Sequence, residues 1–232
     1  MRAFLNLLRL DLMLMQRNKV VAISVFGTVI YTLLFRALSG LDQLEKFLVL
    51  IMMNDPALLG VLFVGVMVLF EKDERTLQAL SVTPVRWSHY LWSKTLLLTG
   101  IGLLCCYAMV LAGYGWHFHW GHFTVATVLT TVIFSFIGFI AVAGEATFNT
   151  YMIKAVVVII LLTLPFLGYF EVVSNAWFEA LPTYYVLLLY NLAFGVAQDW
   201  STLLMGYAGS VIWTVVLYGW ALKRFVDHNK NL

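Results

Sequence analysis

Long apolar stretches alternate with short polar or charged clusters along this chain. Several stretches approach or exceed the ~20 residues a helix needs to cross ~30 Å of hydrocarbon. Residues 2–17 differ from the rest. Arg2, Asn6, Arg9 and Gln16 fall on one helical face, and Leu5, Leu8, Leu12 and Met15 on the other. That pattern predicts an amphipathic helix lying in the headgroup plane, with Asp11 as an acid among its apolar positions that needs a partner. Spans follow at about Val20–Leu38, Leu44–Phe70, Lys94–Tyr114, Phe123–Ala143, Met152–Phe170 and Thr202–Leu222. In the second span, Asn54-Asp55-Pro56 has the form of a helix start, with Asp as cap and Pro at the first position. The 15 residues Pro56–Phe70 cover only ~22 Å, so this span is expected to begin near Leu44–Phe47 and to break or kink at Asn54–Pro56. Pro165 is expected to kink the fifth.

Between the fifth and sixth spans, Leu181–Val196 is apolar but short, and charge decides how to place it. Lys and Arg prefer the cytoplasmic side. Six spans with both ends inside put twelve basic residues inside (Arg2, Arg9, Arg17, Lys19, Lys72, Arg75, Arg86, Lys94, Lys154, Lys223, Arg224 and Lys230) and two, Arg36 and Lys46, outside. A seventh span gives nine against five. The reading is therefore all-α, one transmembrane domain over residues 1–232. It has six spans, an interfacial N-terminal helix and a re-entrant or surface-lying outer insert over 171–201.

Composition agrees. Hydrophobic types make up 62% and charged types 11%, against roughly 45–50% and 25% in soluble domains. The net charge of +2 gives no support for nucleic-acid binding. Arg9 and Asp11 interrupt the first apolar run, so it does not read as a signal peptide. Cys105 and Cys106 are adjacent in a helix and read as packing residues.

The most informative loop follows the second span: Glu71-Lys72-Asp73-Glu74-Arg75-Thr76-Leu77-Gln78-Ala79-Leu80-Ser81-Val82-Thr83-Pro84, within a connection over 71–93. Leu77 and Leu80 share a helical face, and Pro84 disfavours helix at Thr83. This is the pattern of a short helix along the membrane surface, offering a small apolar knob that can dock in a groove of a soluble partner, or else of a solvated loop that merely joins two spans. The pattern resembles the permease subunits of ABC transporters of the second type, which have the type V exporter fold. The residues that carry the resemblance are Glu71, Arg75, Thr76, Leu77, Leu80, Thr83 and Pro84. Arg75 stands where that family often has Gly, and Gln78 where it often has Glu. The resemblance implies that Glu71–Pro84 is a coupling helix seated in a cleft of a separate ABC ATPase subunit. It also implies that the outer insert closes the far side of the path, and that two copies, or this chain and a relative, enclose that path in a cell membrane. No Gly-x-x-x-x-Gly-Lys-Ser/Thr phosphate loop occurs here, so ATP and Mg belong to the partner.

Other residues bear on the path. Asp55 and Glu145 are ionisable groups in or near spans, and Glu171 and Glu179 lie in the outer insert, where they are candidates for gate or substrate contacts. His117, His119 and His122 crowd one outer loop and are candidate zinc or copper ligands, set against a plain interfacial loop. Trp87, Tyr90 and Trp92 fit an inner aromatic belt, and Trp116, Trp120, Trp177, Tyr184 and Tyr185 an outer one. No hydrolase motif is present. The favoured function is an ATP-driven exporter subunit, not itself an enzyme, for a small hydrophobic drug, peptide or lipid. The alternatives are an ion-coupled transporter or channel using Asp55 or Glu145, and a scaffold.

Overall fold

The computed structural model describes residues 2–37, 44–81, 83, 85–173, 175–195 and 199–229. Pro84 and Lys230 lie outside the described residues. Among these residues eleven α-helices follow in chain order: α1 (Arg2–Arg17), α2 (Val20–Ala37), α3 (Leu44–Leu58), α4 (Val64–Asp73), α5 (Thr76–Ser81), α6 (Trp87–Gly113), α7 (Trp120–Val142), α8 (Phe148–Thr163), α9 (Pro165–Tyr169), α10 (Pro182–Ala193) and α11 (Trp200–Asn229). A π turn, Leu59–Phe63, joins α3 to α4, and a 3-10 turn, Ala176–Ala180, precedes α10. The described residues contain no strand. Among the described residues, five helical stretches are long and apolar enough to cross a membrane, or six if α1 and α2, bent by 61°, are taken as one span. The bend is at Lys19, which has a left-handed φ of 56°.

The centre of the bundle is α7, which packs on α3, the π turn, α6, α10 and α11. Its closest approach is to the π turn, at Gly60 and Gly138. A Cβ on Gly138 would lie 2.8 Å from the Gly60 carbonyl oxygen, and one on Gly60 would lie 2.7 Å from the Ser135 nitrogen. Without a hydrophobic force between helices in lipid, such small-residue contacts are what allow close packing.

The second span does not break where the sequence suggests. Helix continues through Asn54, Asp55 and Pro56. Pro56 lacks the N–H that would bond the Met52 carbonyl, and that oxygen accepts instead from the Tyr190 hydroxyl at 3.2 Å and the Cys106 thiol at 3.7 Å. Neighbouring helices thus satisfy the freed group, which is what lets Pro persist inside a span. Asp55 is therefore mid-helix, not a cap. The irregularity falls a turn later, in the π turn, where the Val61 carbonyl accepts from the Tyr151 hydroxyl. Tyr190→Phe is expected to cost about 1–2 kcal/mol by leaving a buried carbonyl short of its partner. Thermal unfolding in detergent, read by tryptophan fluorescence, measures it.

Pro165 does interrupt the fifth span, separating α8 from α9 at Leu164. The third span starts earlier than expected, at Trp87 instead of Lys94, so Lys94 lies two turns inside α6. The insert before the last span contains α10, whose 12 residues reach only ~18 Å. Its Pro182 end shares a cavity with Leu161 and Leu162 of α8. At its other end the Ala193 carbonyl accepts from the His119 backbone N–H at 2.8 Å.

Candidate functional site

The connection between α4 and α5 turns at Arg75, whose φ of 58° is left-handed. A non-Gly residue pays about 1–2 kcal/mol there, which is a physical reason for Gly at this position. Arg75→Gly is expected to raise stability by about 0.5–1 kcal/mol once the extra freedom of Gly in the unfolded chain is subtracted. A higher midpoint of thermal unfolding is the readout. Thr76 Oγ1 donates to the Glu71 carbonyl at 3.0 Å, and Thr83 Oγ1 to the Leu80 carbonyl at 2.6 Å, so α5 is closed at both ends.

The apolar pair on α5 does not form the outward knob that the sequence suggests. Leu77 is 1% exposed in the core of the chain itself, and Leu80 packs against the same core. An exposed Leu pair on a six-residue helix gains more by burial in its own bundle, about 2 kcal/mol for a full side chain, than by waiting for a partner. What α5 presents outward is Arg75, Gln78 and Ala79. Beside Gln78 a cavity of about 420 Å³ opens between α5, the α7–α8 loop and His228. Lys72 ties that loop to α4: its Nζ donates to the carbonyls of Val142, Ala143 and Glu145 at 3.3, 3.2 and 3.0 Å. A cation at the end of α7 also suits the helix dipole.

Beneath α5 lies a buried charge cluster. Lys94 of α6 donates to Asp11 of α1 at 2.6 Å and to Glu71 of α4 at 2.7 Å. Its ammonium sits 4.2 Å from the centre of the Tyr90 ring. Ser93 donates to the other Asp11 oxygen, and the Tyr90 hydroxyl to the other Glu71 oxygen. Asp11, Glu71, Ser93, Lys94 and Tyr90 are all buried. So the acid that stood out among the apolar residues of α1 has its partner, and Glu71 is a structural anchor under α5 rather than part of its surface. Arg17 and Glu74 form an ion pair just outside the cluster. Three elements, α1, α4 and α6, are thereby tied together at the root of α5. Sequence reasoning missed Lys94, Ser93 and Tyr90. Lys94 reads as one interfacial cation among many, and Tyr90 as a belt residue. The available signal was a lone Lys beginning an apolar run two residues after an aromatic.

The remaining candidates do not converge. Asp55 is 6% exposed, about 14 Å along α3 from Lys46, and its Oδ2 has no hydrogen-bond partner among the described residues. Glu145 lies at the α5 side and accepts from Lys154 at 2.9 Å, which holds its carboxyl below the usual range. At the opposite side, Glu171, with a left-handed φ of 60°, pairs with Lys46 at 3.1 Å. Glu179 lines a separate 240 Å³ cavity with Asn175, Tyr184 and Asn191. Of the histidines, His122 is turned to the Tyr207 hydroxyl at 2.7 Å, with its ring 5.9 Å from that of His119, while His117 lines a small cavity with Trp116. Among the described residues no three His, Cys, Asp or Glu side chains are grouped to hold a metal ion.

The profile of the fluoroquinolones export permease protein family matches residues 2–229. The chain belongs to that family. Fluoroquinolones export permease proteins from two Mycobacterium tuberculosis strains are each 30% identical to it over 214 residues, covering 90% of this chain and 87% of theirs. No solved structure matches the chain. Membership in an export permease family, the all-helical bundle and the candidate spans make this a multi-pass membrane transport protein. They are consistent with a permease subunit of an ABC transporter of the second type.

Proposed function

We propose that this permease is the membrane subunit of an ATP-driven exporter whose ATPase, with its ATP and Mg, is a separate chain. The observation that carries the reading is the mounting of α5. It is a short surface helix with a polar outer face, and three membrane elements are fixed to its root by Lys94. A helix seated that way suits a device that passes movement from a soluble partner into the spans. The ATPase contacts Arg75, Gln78, Ala79 and the adjoining cavity, on a face that looks into the cytoplasm together with both termini. Two copies, or this chain and a related one, enclose the path, and the insert around α10 closes its outer end. ATP binding acts by stabilising one arrangement of the pair over the other.

The cargo is a small aromatic compound of the fluoroquinolone kind, a proposal supported by the names of the relatives. In vesicles containing the permease and its ATPase, fluoroquinolone movement is expected to require ATP and Mg and to stop when either subunit is left out. Movement driven by a proton gradient with no ATPase present would overturn the reading.

A further inference from the structure

A second site lies away from α5. A groove of about 500 Å³ lies between α7, α8, α10 and α11. Its floor is Ile137 and Ile140 of α7, and its walls are Val158 of α8 and Trp213 and Trp220 of α11. Two cations, Lys154 and Arg224, line the same groove. Both belong to its α5 end: Lys154 reaches Glu145 in the α7–α8 loop, and Arg224 is one turn before His228, which packs near Gly144. Only one of the three Lys154 N–H donors is taken by Glu145. Arg224 is half-buried and forms no ion pair among the described residues.

From Trp213 to Arg224 the groove follows α11 for ~16 Å, about the depth of one leaflet, half of the ~30 Å core. An apolar trench of that length with two cations at the headgroup end has the dimensions and charge of a bound amphiphilic anion. We propose that it holds one acyl chain of a single anionic phospholipid from the leaflet on the α5 side, with the lipid phosphate between Lys154 and Arg224. Arg offers a planar fork that matches phosphate oxygens, and Lys adds a point charge. A second copy of the chain is a poorer occupant. A two-fold contact centred on this groove sets the same patch against itself and turns Arg224 toward its own counterpart.

The test uses the intact permease, reconstituted in phosphatidylcholine vesicles with and without dioleoyl-phosphatidylglycerol, re-extracted, and weighed by native mass spectrometry. The wild type is expected to retain one phosphatidylglycerol per chain and to unfold at higher temperature in vesicles that contain it. Lys154→Gln with Arg224→Gln loses the bound lipid and the shift. So does Val158→Trp, which fills the trench and leaves both cations in place, and which decides the matter where the double variant does not fold. Arg9→Gln with Lys223→Gln removes equal charge elsewhere and keeps the lipid. Retention equal in all variants, or absent in the wild type, overturns the proposal. So does a lipid-free dimer that Val158→Trp separates, which assigns the groove to a second copy.

Discussion

Lys94→Met is expected to cost this protein about 3–5 kcal/mol, the penalty for removing one partner of a buried ion pair. It leaves the Asp11 and Glu71 carboxylates facing each other with no cation between them. Thermal unfolding in detergent should show a large drop in midpoint, and membranes should hold much less folded protein. Lys94→Arg is also expected to destabilise, because the larger guanidinium must enter a fully buried site where the ammonium already lies 2.6 and 2.7 Å from two carboxylates. The informative partner experiment is the triple variant Asp11→Asn, Glu71→Gln, Lys94→Met. Removing every charge together takes away the uncompensated carboxylates, so most of the loss should return. If the triple variant is as unstable as Lys94→Met, the cluster's contribution is packing and not charge. A recovered triple variant also separates two roles: it should fold, yet respond less to the ATPase, because neutral groups tie α1, α4 and α6 together less firmly.

The second large effect is expected at Gly138. A methyl added there meets the Gly60 and Val61 carbonyl oxygens at 2.8 and 2.9 Å, and backbone cannot swing aside as a flexible side chain does. Gly138→Ala should cost about 2–3 kcal/mol, the upper range for overpacking, and Gly138→Val should abolish recovery of folded protein. Gly100→Ala in α6 is the control, since a Cβ there meets nothing within 4 Å, and it should leave stability unchanged or raise it by up to about 1 kcal/mol. Size-exclusion of a fluorescent fusion reads all three.

Much of this architecture was legible in the chain. Lipid imposes length, so apolar runs locate the candidate spans, and the short run that begins at Leu181 holds α10, whose 12 residues are fewer than a crossing needs. The 3.6-residue spacing of Leu5, Leu8, Leu12 and Met15 was enough for α1. The site was legible only in part, and each miss has a physical cause. Asp11 and Lys94 are 83 residues apart and Glu71 and Lys94 are 23 apart, so no periodicity within one helix reports their meeting. Leu77 and Leu80 showed that α5 is amphipathic, but periodicity does not say which side the apolar stripe faces. Pro56 signalled a break from local rules, and Tyr190, far along the chain, removed the need for one. Arg75 is the opposite case. The sequence showed only that it stands where the family the chain resembles often has Gly, and the left-handed φ supplies a physical reason for Gly there.

The central claim is that α5 is the contact for a separate ATPase, and the most direct measurement is capture of that partner. The permease would be tagged, extracted gently from its native membrane, and compared with an Ala79→Arg variant, whose changed side chain points outward from α5 and leaves Leu77 and the Lys94 cluster intact. The account predicts an ABC ATPase subunit bound to the wild type and lost from Ala79→Arg, with the two proteins equally stable. A folded wild type that exports its cargo and carries no ATPase would contradict it.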